Sequence, residues 1–298
     1  MNVDLAVVTP AYLDYTFVGL EALPGPGEER FAGDLLRSPG GGAITAVGAC
    51  RLGLKTALVA PLGDDLAGRF VSQALKEEGI AVGEFRGSRT PTTVVMPHAG
   101  ERAMVTYEPG ITTRAADVAA FDPRAVIVGL NQLDLVPDGV PVYATCGDDD
   151  ARAFASRPPG DLDRARALFV NRREARQLTG HASAGDAAAK LAECVPIAVV
   201  TCGAEGAVAA VDGELLSAPA FATEVVDTTG AGDLLCTAFV WAELAGADPQ
   251  AALRWAVLYG SLSVSVPTGA GGAVTRDRLI EEASKRGLPP LEAKERTA

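Results

Sequence analysis

The sequence predicts an α/β fold, a doubly wound and mostly parallel sheet with a small β-sheet lid. Two observations carry this. Short continuous apolar runs, the pattern of strands buried on both faces, alternate with helix-length segments along most of the chain. One interruption, the alternating stretches Thr92–Pro97 and Arg102–Tyr107 joined by His98–Glu101, reads as a β-hairpin inserted into that order.

Val3–Thr9 is the first buried strand, ended by Pro10. Breaker-rich Leu23–Glu29 leads to Ser38-Pro-Gly-Gly-Gly42, where a glycine turn feeds a small-residue helix, Ala43–Leu52. Thr56–Leu62 is the next strand, and Asp64-Asp65 caps the amphipathic helix Leu66–Glu78. After the hairpin, Ala125–Val128, Val142–Thr145, Ala167–Val170 and Ile197–Thr201 read as buried strands, with helices near Arg172–Leu178 and Gly185–Cys194. Ala207–Val211 and Glu214–Ser217 flank Asp212-Gly213, a second hairpin signal. Helices at Gly232–Ala245, Pro249–Ser261 and Arg276–Lys285 close the order. One domain therefore spans residues 1–290, with a lid built from about 11–35 and 85–110 and a polar, frayed tail at 291–298.

Composition narrows the function. The 298 residues carry a formal charge of −12, which argues against nucleic acid or anionic membrane as a partner, since both are bound through a Lys/Arg surplus. The five cysteines are scattered, with no CxxC pair, so neither a disulfide framework nor a zinc site is signalled. The two histidines, His98 and His181, leave little for a histidine triad. No apolar run approaches the ~20 residues of a membrane span, and no basic leader precedes Val3, so a soluble cytoplasmic protein is expected.

Chemistry concentrates in Asp227-Thr-Thr-Gly-Ala-Gly-Asp233, followed at once by an apolar helix-like run. A glycine turn opening a helix presents the amides of Gly230, Ala231 and Gly232 to an anion, and Asp233 beside them is either a helix cap or a base. A Walker loop fails because Leu54 separates Gly53 from Lys55-Thr56, and a GxGxxG fingerprint fails at Leu235. Asn171-Arg-Arg-Glu174 is either simple capping or a pair suited to Mg²⁺-bound water. Thr201-Cys-Gly-Ala-Glu-Gly206, Gly63-Asp-Asp-Leu-Ala-Gly68, Gly40-Gly41 and Asp14 complete the set.

Together these stretches resemble the PfkB, or ribokinase-like, family of carbohydrate kinases, over residues 1 to roughly 288. The resemblance implies a ribokinase-like fold and ATP-dependent phosphotransfer to a hydroxyl of a small sugar-like substrate. By the same resemblance Asp233 is the base and the amides of Gly230, Ala231 and Gly232 meet the phosphoryl group. Asn171, Thr201, Gly203, Gly206 and Gly232 serve ATP, Asn171 and Glu174 serve Mg²⁺ through water, and Asp227 serves a monovalent cation such as K⁺. Asp14, Gly40 and Gly41 bind the acceptor, and paired lids make a homodimer. The chain departs from the family where the sugar-binding Asn belongs: Ile44 stands there, with Thr45 beside it to take over part of the role. Tyr259-Gly260 replaces the common Asn-Ala, and Thr145–Asp148 replaces a DPN-like segment. A nucleoside kinase of the same family and a non-catalytic, ligand-binding pseudokinase are the alternatives.

Overall fold

The computed structural model describes residues 1–291 except 84, 88, 99, 100, 111, 156 and 158. Its strands, in chain order, are β1 (Val3–Val8), β2 (Ala11–Val18), β3 (Asp34–Gly41), β4 (Thr56–Leu58), β5 (Leu62–Gly63), β6 (Ala81–Val82), β7 (Phe85–Gly87), β8 (Thr92–His98), β9 (Glu101–Tyr107), β10 (Pro123–Gly129), β11 (Val142–Thr145), β12 (Ala165–Asn171), β13 (Ile197–Thr201), β14 (Ala207–Val211) and β15 (Glu214–Ala218). The helices are α1 (Gly42–Arg51), α2 (Leu66–Glu77), α3 (Ala115–Ala119), α4 (Asp148–Ala153), α5 (Arg172–Thr179), α6 (Ala184–Leu191), α7 (Ala231–Leu244), α8 (Pro249–Ser263), α9 (Gly269–Gly272) and α10 (Arg276–Lys285).

Among the described residues, nine strands form the main sheet in the order β15-β14-β13-β12-β11-β10-β1-β4-β6. All neighbours are parallel except the antiparallel β13-β14-β15 edge. The apolar runs are continuous because both faces are covered. Leu5 and Val7 of β1 join Ile127, Phe169 and Val199 beneath α1, α7 and α8, whereas Ala6 and Val8 join Val126, Leu168 and Val170 against α5 and α6. The helix α7 is apolar nearly all round because it lies inside the first layer, where Phe239 meets Phe169 edge to face at 5.3 Å.

From β1 the chain winds outward to β4 and β6, then returns to build β10 to β13 on the other side. The winding reverses between β1 and β10, and in such sheets ligands bind outside the carboxyl ends of the strands at that reversal. β1 leads there directly into β2 and the second sheet, ordered β3-β2-β8-β9. Its inner strands, β2 and β8, run parallel, while β3 and β9 add antiparallel edges.

Several local details differ from the sequence-based expectation. The second sheet uses Asp34–Gly41 as a full strand, so Gly40 and Gly41 end a strand rather than form a free turn. Thr56–Leu62 divides into β4 and β5 on either side of Val59–Pro61. Asp65 alone caps α2, its Oδ1 accepting from the Gly68 amide at 2.8 Å, while Asp64 pairs with Arg69. The tip of the His98–Glu101 turn and the tail beyond Leu291 lie outside the described residues. No helix among the described residues is long and apolar enough to cross a membrane.

Candidate active site

The turn before α7 is fixed from below and from the side. Gly230 caps the helix in the left-handed region (φ 77°), where a β-carbon would stand 2.9 Å from Ile44 Cγ2 and 3.0 Å from the Gly269 backbone. Ile44 is therefore packing: its side chain, 2 % exposed, fills the space beneath Gly230 and Gly269. Asp227 ties the same turn to the following loop, with one carboxylate oxygen accepting from the Thr229 amide (2.8 Å) and the other from the Thr268 amide (2.9 Å). Each oxygen of the residue assigned to a monovalent cation thus already holds a backbone donor. Above this frame, the Gly232 amide lies in the first turn of α7, where a helix offers its own N–H groups no acceptor.

Asp233, in that first turn, has its carboxyl pushed up to about 6. Burial is the cause, opposed by the charge of Arg102 and by its own backbone amide. Asp14 lies across the cleft on β2, almost fully buried, and is pushed up to about 7, first by burial and then by the negative charges of Asp233 and Asp227. Asp14 is register partner to Ser38 of β3 and Thr93 of β8, and Thr93 is partner to Thr106 of β9. One face of the second sheet therefore presents a row of hydroxyls about a carboxylate, and the Ser38 hydroxyl is buried without a partner. Gly40 is required here because a β-carbon would overlap the Asp14 carboxylate at 2.1 Å. Its role in this structure is to make room for Asp14.

Thr45 does not sit in this row. It is buried in α1 (2 % exposed), with its carbonyl 3.5 Å from the Thr237 hydroxyl of α7, a helix–helix contact. Sequence reasoning placed it beside the acceptor because only its neighbour's identity was visible.

The third cluster lies at the ends of adjacent parallel strands. Asn171 ends β12 and is register partner to Thr201, the last residue of β13. Asn171 and Glu174 cap α5 reciprocally: the Asn171 side chain accepts from the Glu174 amide (2.9 Å), and Glu174 accepts from the Asn171 backbone (2.8 Å) and side-chain (2.5 Å) nitrogens. The Glu174 carboxyl is pushed up to about 7, chiefly by burial, with Asp233 adding to it and the Asn171 bonds and Arg173 opposing. Beyond Thr201, Gly203–Glu205 form a short 3₁₀ turn closed by the Gly206 amide on the Gly203 carbonyl. A two-bond ion pair, Arg172 to Glu205, holds that turn to the start of α5 (2.8 Å each).

The loop from Pro267 onward is also anchored. Arg51 donates to the carbonyls of Ala270 (3.2 Å) and Ala273 (2.6 Å) while pairing with Glu78. Tyr259 is fully buried and donates to the Val274 carbonyl (2.9 Å), so the departure from Asn at this position supplies a structural tie. Among the described residues no three His, Cys, Asp or Glu side chains converge as a metal cage.

Asp233 is thus brought within electrostatic reach of Asp14 on one side and Glu174 on the other, and Asp227 within reach of Asp14, with the row on the second sheet facing the N-terminus of α7. Sequence reasoning missed Ser38, Thr93, Thr106 and Arg102. For Thr93 and Thr106 the alternation in Thr92–Pro97 and Arg102–Tyr107 was the available signal, because the hairpin pairs them on one face.

Residues 21–275 match the pfkB family carbohydrate kinases. The chain is 29% identical over 272 residues to ribokinase of Bacillus subtilis, covering 87% of this chain and 92% of that protein. It is 31% identical over 279 residues to fructokinase of Klebsiella pneumoniae, covering 82% and 90%. Arabidopsis thaliana ribokinase, solved in complex with ribose and ATP, superposes with a TM-score of 0.76 at 26% identity, covering 94% of this chain and 98% of that one.

The raised Asp14 carboxyl makes a stability prediction. The folded state keeps its proton up to about pH 7, whereas an unfolded Asp releases it near ~4, so this group lowers stability as pH rises between those values. Asp14→Asn removes the buried charge, and its melting temperature should exceed the parent's at pH 8 by more than at pH 5. A variant less stable than the parent at pH 8 contradicts this assignment.

Proposed function

The chain belongs to the PfkB family of carbohydrate kinases, ATP-dependent enzymes that phosphorylate a hydroxyl of a small sugar-like acceptor, and from this premise we propose how its own residues share the reaction. ATP lies over the ends of β12 and β13, near Asn171, Thr201, Gly203 and Gly206, with its phosphates reaching the turn before α7. The acceptor lies against the second sheet, which acts as a lid, and its hydroxyls donate to the Asp14 carboxylate.

The acceptor oxygen attacks the γ-phosphorus as the bond to the β–γ bridging oxygen breaks, and ADP leaves with that electron pair. The acceptor proton passes to Asp233. Negative charge on the phosphoryl oxygens meets the amides of Gly230, Ala231 and Gly232, donors fixed in place before the reaction. When bound, Mg²⁺ would neutralise the phosphate oxygens, with Asn171 and Glu174 holding it through water. This donor set suits Mg²⁺, which keeps waters and takes substrate phosphates rather than a full protein cage. Asp227 is better explained as the tie between the turn and Thr268 than as a cation ligand.

One observation supports this division above the others. Asp233 acts electrostatically on Asp14 on the acceptor side and on Glu174 on the nucleotide side. A carboxylate between the two half-sites is where a base for phosphoryl transfer has to stand. The position of Ile44 favours a sugar over a nucleoside acceptor, because that side chain is spent on Gly230 and Gly269 and is not left to pack on a base. The relatives named for ribose and fructose make those two sugars the first acceptors to try, within a wider panel of sugar acids, polyols and nucleosides.

A homodimer through the second sheet extends the reading. The face opposite Asp14 carries Leu35 and Val105, both exposed, and Val105 lies in the cross-strand row Arg37-Tyr15-Val94-Val105. Burying these apolar residues against their copies is a reason to associate. Sedimentation should give twice the chain mass for the parent, and a lower mass for Val105→Glu. A parent that sediments as one chain at micromolar concentration removes the dimer.

Asp233→Asn should lose ~10²–10⁴-fold in kcat while its melting temperature stays close to the parent's. In the parent, the base must be ionised to accept a proton, so kcat/KM, which reports the free enzyme, should rise as pH is raised through about 6 and level off above it. An Asn variant within about tenfold of the parent, where a base is worth ~10²-fold or more, would leave Asp233 as a cap only.

A further inference from the structure

Arg102 belongs to none of the motifs, yet it reaches from the second sheet to the turn before α7. It shares a face of β9 with Thr106, the register partner of Thr93, so it projects to the same side as Asp14. Its Nη1 donates to the hydroxyl of Thr228 at 2.9 Å, two residues before Gly230. Its Nε is buried with no partner. Its positive charge acts on Asp233.

Among the described residues no carboxylate lies within ion-pair distance of Arg102, although Asp14, Asp227 and Asp233 surround the same cleft. A half-buried guanidinium bonded to a neutral hydroxyl, with its buried Nε–H unsatisfied, lacks the anion that normally compensates such burial. Two anions could supply it: a charged group on the acceptor, or the phosphoryl group in transit. The Thr228 contact decides between them. It places the guanidinium at the start of the anion-binding turn, whereas a charged acceptor group would have to lie among the carboxylates on Asp14's side.

We propose that Arg102 is a catalytic residue carried by the lid, whose guanidinium leaves Thr228 to hydrogen-bond the γ-phosphoryl oxygens during transfer. This rests on reading residues 230–232 as the phosphate site. Arg102 exchanges no proton in the step: the acceptor proton still passes to Asp233 and the electron pair still leaves with ADP. The consequence is that closing the lid and completing the charge around the phosphoryl group become one event, so an open lid leaves ATP poorly activated toward water.

The test needs no acceptor. Binding of MgADP is measured by calorimetry with and without aluminium fluoride, a mimic of the phosphoryl group in transit, for the parent, Arg102→Lys and Arg102→Ala. The parent should bind MgADP more tightly when the fluoride is present. Arg102→Ala should lose ~10–100-fold of that gain, the worth of a hydrogen bond to a charged group, while MgADP alone binds within about twofold of the parent, well inside the tenfold that ~1.4 kcal/mol represents. Arg102→Lys should retain part of the gain. A full gain in Arg102→Ala overturns the role of Arg102 and leaves the phosphate site standing. Equal weakening with and without fluoride also overturns it, by assigning the residue to structure alone. No gain in the parent removes the phosphate site and the proposal together.

Discussion

Carboxylates gathered around the positive end of a buried helix are the constraint on which the rest of this structure depends. Asp14 and Asp227 are nearly out of water, and Asp233 stands in the first turn of α7. Burying such groups is costly unless each finds a donor or a proton. Asp227 finds two backbone amides and locks the turn. Asp14 and Asp233 find less, and their carboxyls rise to about 7 and about 6. The stability given up there is recovered by the apolar layers on both faces of the main sheet, and the result is a pair of groups whose proton affinity lies close to neutrality.

Topology explains how residues so distant in sequence meet. The reversal of winding beside β1 opens a cleft at the strand ends, and β1 leaves that cleft only to return as β2 of the second sheet. Asp14 is thus delivered over the N-terminus of α7 by a connection of two residues, Thr9 and Pro10. The proposed nucleotide side is built by neighbours in register, Asn171 and Thr201 on β12 and β13, and is stiffened by the Arg172–Glu205 pair. The second sheet also meets the turn before α7 through the hydrogen bond from Arg102 to Thr228.

The main sheet was legible because its strands are buried on both faces and so read as unbroken apolar runs, and the turn before α7 was legible because glycine and aspartate at that spacing serve few other purposes. The second sheet was harder to see. Ala11–Val18 alternates Tyr12, Asp14 and Thr16 with Leu13, Tyr15 and Phe17, but Asp34–Gly41 ends in Pro39, Gly40 and Gly41, which read as a turn. Only the pairing to β2 makes it a strand, and that pairing is a tertiary fact. Ile44 misled for a similar reason. Its identity signalled a missing polar group, while its contacts with Gly230 and Gly269 show an apolar support for the turn. Arg102 had no local signal, since nothing near it in sequence marks a guanidinium as aimed at a helix more than a hundred residues away.

The coupling between the second sheet and α7 is open to direct measurement. Carbon-13 NMR titration of the Asp side-chain carboxyls follows each proton separately in the ligand-free protein. The account predicts midpoints near 7 for Asp14 and near 6 for Asp233, and a lower Asp14 midpoint in Asp233→Asn, where one of the charges that raises it is gone. Both carboxyls titrating in the ordinary range near ~4, or an Asp14 midpoint indifferent to Asp233→Asn, would show that the two sides of the cleft do not share one electrostatic site.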